Sequence, residues 1–127
     1  MTHKEKAMKI FYERFNCSQA VLGAYADDHG LTADQAMKVA ACFSGGVRKG
    51  EVCGAVSGAI MVIGLKYGDG PDYKAAAYPK AAEFMDRFKE NMLHISAGSF
   101  SAVTYPPKRE CSMPGRMVFL RISVREW

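Results

Sequence analysis

The stretch Ala41–Gly68, ACFSGGVRKGEVCGAVSGAIMVIGLKYG, constrains the fold more than any other part of the chain. It joins a glycine-rich turn (Gly45, Gly46, Gly50) to Cys53, which opens an apolar run studded with small residues. From Val52 to Leu65 the run is too short to span a bilayer and holds Gly54, Gly58 and Gly64, so it reads as a buried helix. Gly54, Ser57 or Gly58, Met61 and Leu65 recur at helical spacing, and positions without bulk let a second backbone approach closely. At Cys53 the free N–H groups and positive dipole of a helix start favour a thiolate, and Arg48 and Lys49 upstream act in the same direction. Burial opposes both, and a cysteine in an apolar run also reads as a small inert hydrophobe.

Around this stretch the pattern is helical throughout. Ala7, Met8, Ile10, Phe11 and Phe15 lie at helical spacing opposite Lys4, Glu5, Lys9 and Glu13. Asn16 offers an N-cap for a second helix from Cys17 to about Asp28, with Gly30 as its C′ residue, and this places Cys17 in a first turn as well. Thr32 and Gln35 form a capping box for a third helix expected to run through Cys42 to the Gly45–Gly46 break, with Cys42 as buried packing. A fifth helix is expected from Asp72 to about His94, either kinked at Pro79 or beginning near Tyr78. The fold class is therefore all-α: a small bundle of four or five helices around the central Gly/Ala-rich helix, followed by an irregular C-terminal tail. The domain covers residues 1–96 and the tail 97–127.

The chain has 127 residues, 49% of them hydrophobic and 24% charged, which suits one soluble domain with its own core. Its net charge of +4 is uneven: up to Ser96 there are 12 Lys and Arg against 11 Asp and Glu, and after it 5 against 2. No basic stripe with interleaved aromatics marks any element, so no nucleic-acid partner is expected. The charged, amphipathic N-terminus lacks a signal-peptide core, and a cytoplasmic location without a membrane span is expected. In that setting four cysteines argue for thiol chemistry or metal binding over a disulfide framework. Cys17 and Cys53, each near a helix start, could form a redox disulfide or supply half of a metal site. Spacing alone does not bring them together. The glycines near Gly45 follow a helix, unlike a phosphate-binding loop, and His3, His29 and His94 read as solvated.

FNCSQAVL at Phe15–Leu22 and FSGGVRKGEVCGAVSGAIMVIGLKYG at Phe43–Gly68 resemble the redox-active C_GCAxxG_C_C proteins, with Cys53-Gly54-Ala55-Val56-Ser57-Gly58 as the C-G-A-x-x-G element. The resemblance implies that Cys17 and Cys53 are the first two family cysteines, supported by Gly45, Gly46, Gly54, Gly58 and Arg48. It implies redox activity with an unnamed redox partner. It also implies two later cysteines, in a C-R-E-L-L-like stretch and a C-P, which Cys42 and Cys111 do not match. Codons allowed for Ala97–Ala102 read CRELFG after one inserted T, so the tail after Ser96 is expected to be frameshift-derived, the alternative being a divergent tail. Three functions stay open: a thiol redox protein using the Cys17–Cys53 pair, a metal or iron–sulfur carrier with the same cysteines as ligands, and a non-catalytic helical interaction module. Whether the chain needs a cofactor is left open. A domain that lost its native C-terminal part is expected to self-associate as a homo-oligomer.

Overall fold

The computed structural model describes residues 1–92, and among them five α-helices carry the fold: α1 His3–Tyr12, α2 Cys17–Tyr25, α3 Ala33–Ala40, α4 Gly54–Tyr67 and α5 Tyr73–Met92. The expected boundary at Ser96, the tail, His94 and Cys111 lie outside the described residues. No helix among those described is long and apolar enough to cross a membrane.

Reciprocal caps start the first three helices. The Thr32 and Gln35 box expected at α3 is present, and the same arrangement joins Thr2 to Glu5 at α1 and Asn16 to Gln19 at α2. Each box satisfies donors that a helix start leaves free. Between α1 and α2 the chain turns at Arg14, whose positive φ of 74° ends α1 where glycine is usual. A short 3-10 turn, Asp27–His29, follows α2, and Gly30 is left-handed as expected.

α2 is the hub. It packs against α1, α3 and α4, while α4 also carries α5 on another face. The Gly/Ala-rich α4 expected at the centre packs on both α2 and α5, and α2 lies beside it with Ala20, Val21, Leu22 and Ala24 all at most 2% exposed. One cluster gathers Val21, Val56, Ile63, Phe84 and Phe88 across α2, α4 and α5, and a second gathers Leu22, Ala26, Ala36 and Ala40 toward α3. A core so rich in alanine requires short helix separations. Gly58 makes the α2–α4 crossing short: a Cβ there would lie 2.9 Å from the Ser18 carbonyl oxygen and 3.0 Å from the Val21 Cβ.

Of the two starts expected for α5 the earlier one is present: it runs from Tyr73 through Pro79, its buried face being Ala77, Phe84 and Phe88. One expectation changes. α3 stops at Ala40, short of Cys42, because α2 takes its last carbonyls, as the site geometry makes plain.

Candidate thiol site

The segment Asn16-Cys17-Ser18-Gln19 does two jobs at once. Asn16 Oδ1 accepts the Gln19 amide at 2.9 Å and starts α2, while Asn16 Nδ2 donates to the Ala41 carbonyl at 2.9 Å. Gln19 Nε2 donates to the Met37 carbonyl at 2.9 Å, and the Ser18 hydroxyl, fully buried, lies 2.7 Å from the Ala40 carbonyl and 2.8 Å from Asn16 Oδ1. Carbonyls at the end of α3 are thus met by side chains at the start of the preceding helix, α2. The junction fixes Cys17 at the first position of α2 and turns the chain after Ala41 toward the second cysteine. As a result Cys42 is exposed on a turn, contrary to the expected buried packing.

Beyond Cys42 the backbone enters a left-handed turn. Gly45, Gly46, Val47 and Arg48 all have φ between 56° and 65°, and Gly50 has φ of 73°. A β-branched residue such as Val47 rarely occupies this region. The Glu51 amide closes the turn on the Gly46 carbonyl at 3.0 Å. The expected glycine turn is therefore present, and it delivers Cys53 as the N-cap of α4. Arg48 is exposed, with its guanidinium folded toward Gly45.

Cys17 and Cys53 meet. Cys53 packs against the buried cluster that contains Cys17, and the two thiols are close enough to perturb one another. Cys17 is 8% exposed, Cys53 is half-buried, and both stand as thiols. The Cys17 thiol also donates to Ser44 Oγ at 3.7 Å. Gly54 makes room for this sulfur: a Cβ there would stand 2.7 Å from Cys17 Sγ, 3.0 Å from Ser44 Cα and 3.1 Å from the Phe43 carbonyl oxygen. In C-G-A-x-x-G the first glycine thus admits a sulfur and the second admits a helix.

The thiolate expected at Cys53 is not favoured. The neighbouring Cys17 thiol and then burial push the Cys53 thiol well above its ordinary value, while the amides of Ala55 and Val56 at the helix start pull the other way. The helix-end reasoning has the correct sign for its own effect, but the neighbouring sulfur outweighs it. Sequence reasoning missed Ser44 and the Ser18 staple. The polar run around Cys17 was the available signal for Ser18; nothing local marks Ser44.

At the other end of α4 a cavity of about 180 Å³ is lined by His3, Tyr25, Asp28, His29, Lys66 and Tyr67, with Val62 and Ile63. His3 stacks on Tyr25 with centroids 4.1 Å apart and pairs with Asp28, so it is not simply solvated. That hydrogen bond holds the Asp28 carboxyl below its ordinary range. No cysteine lines this cavity.

Two neighbouring thiols at the starts of two packed helices are what this all-helical fold presents at the site. The chain belongs to the family described as "Putative redox-active protein (C_GCAxxG_C_C)", whose model matches residues 15–112 and so includes all four cysteines. No curated protein and no solved structure matches the chain.

Proposed function

We propose that this chain is a thiol redox protein in which Cys17 and Cys53 cycle between dithiol and disulfide, releasing two electrons and two protons to a partner on oxidation and taking them back on reduction. The observation that carries this reading is the packing of the two thiols together in the apolar cluster, with Cys17 Sγ against Gly54, the neighbour of Cys53. A disulfide needs its two cysteines on facing backbone positions with little rearrangement. Gly54 and Gly58 leave room for the starts of α2 and α4 to pack closely, which supports such a link. Among the described residues no group of three or more His, Cys, Asp or Glu could hold a metal ion, and two thiolates fall short of a closed four-ligand site.

Counting titratable thiols in denaturant, before and after mild oxidation of the folded chain, tests the proposal. The expected result is the loss of two thiols, with peptide mapping linking Cys17 to Cys53. Retention of every thiol, or a link through Cys42 alone, would overturn it and favour an interaction module. Stoichiometric iron or zinc in anaerobically purified protein would favour the carrier reading instead.

A further inference from the structure

We propose that the Cys17–Cys53 disulfide opens at one sulfur only: a partner thiolate attacks Cys53 Sγ, Cys17 departs, and Ser44 is the positioning residue that holds the departing sulfur. This rests on the redox reading above and adds the substrate class, thiol groups of a partner, and the order of the steps.

Access decides where attack occurs. Cys53 caps α4 at the end of the glycine turn and is half-buried, whereas Cys17 is 8% exposed. Around Cys17 stand the Ser44 and Phe43 backbone, Gly54, and the buried cluster with Val21, Ala55 and Val56. A nucleophile must reach the sulfur it attacks, and it displaces the other one. Only Cys53 offers that approach.

The leaving side is also prepared. Cys17 occupies the first turn of α2, where free backbone N–H groups favour negative charge. In the thiol form it donates to Ser44 Oγ, and once it carries charge the same hydroxyl can turn and donate to it.

The steps balance. The partner sulfur bonds to Cys53 Sγ as the Cys17–Cys53 bond breaks, and the electron pair goes to Cys17, which then takes a proton. A second partner thiolate attacks the partner sulfur of this mixed disulfide and releases Cys53, which is protonated in turn. Two partner thiols are oxidised to one disulfide, the protein disulfide is reduced to two thiols, and two protons move from partner to protein.

The test uses the full chain with Cys42→Ser and Cys111→Ser, and glutathione as the probe. Oxidised protein is treated with reduced glutathione, quenched with acid and mapped by mass spectrometry. The expected mixed disulfide is on Cys53, in roughly tenfold excess over Cys17. An adduct mainly on Cys17, or equal adducts on both, would overturn the order of steps even if the Cys17–Cys53 link forms. Absence of that link before glutathione is added would instead defeat the redox reading. Because Cys17 and Cys53 are both retained, either sulfur can take the adduct and the map discriminates between them. For Ser44, Ser44→Ala is expected to slow opening several-fold, with the rate more steeply dependent on pH, and Ser44→Thr is expected to restore both. Wild-type rates and pH profile in Ser44→Ala would remove Ser44 from the proposal.

Discussion

Cys53 shows how two short-range effects of opposite sign are resolved by a neighbour. The amides of Ala55 and Val56 pull its thiol down, and Cys17 together with burial pushes it up further. A thiol that binds its proton more tightly in the folded chain than in the unfolded one adds stability below its ordinary value, and this is lost as pH rises through the folded value. With that ordinary value at 9.0, wild-type stability is expected to decline from about pH 9 upward, and Cys53→Ala to show a shallower decline. Parallel urea midpoints for the two proteins across this range would contradict the assignment. Cys42 makes the complementary case. It is exposed, so iodoacetamide at neutral pH is expected to label Cys42 before Cys53 and Cys17 in the folded chain, reversing the order that helix-end electrostatics alone suggests. Peptide mapping after brief labelling decides it.

Within α4, three glycines serve three different purposes, and alanine substitution separates them. Gly64 has open space where a Cβ would be, so Gly64→Ala is expected to stabilise the protein by about 1 kcal/mol through helix propensity. Gly58→Ala gains the same propensity but drives a Cβ into the Ser18 carbonyl and Val21, and is expected to lose roughly 1–3 kcal/mol overall. Gly54→Ala is expected to be destabilising to a similar extent, roughly 1–3 kcal/mol, and to displace Cys17 as well, which thiol oxidation would register. Thermal or urea denaturation of the three variants checks the ordering. At the α2–α3 junction, Ser18→Ala removes the hydroxyl donor to the Ala40 carbonyl, which keeps the Phe43 amide, and is expected to cost about 1 kcal/mol. Val47, half-exposed at φ 56°, loses little burial on substitution, so Val47→Asn is expected to stabilise the left-handed turn by about 1 kcal/mol. A loss of stability there would mean the Val47 side chain contributes more than its backbone conformation costs.

Across the whole molecule, stability is expected to be greatest where three helices share one. Amide exchange should be slowest in α2, around Ala20–Leu22, and faster in α5, which rests on α4 through one apolar face. Exchange in α5 as slow as in α2 would place the hub elsewhere. The features legible beforehand were local ones: the Thr32 box, the Asn16 cap, the left-handed Gly30 and the apolar helix opened by Cys53 all depend on residues within a turn of one another. The end of α3 was not legible, because its carbonyls are taken by Asn16, Ser18 and Gln19, some twenty residues earlier in the chain. The sequence by itself determined the helical class, the helix starts and the two cysteines worth pairing, because capping and hydrophobic period act over a few residues. Tertiary structure alone decided that Cys17 meets Cys53, that Ser44 joins them and that the Cys53 thiol keeps its proton. Those outcomes depend on distances across the α2–α4 crossing, which Gly54 and Gly58 permit but only the folded backbone sets.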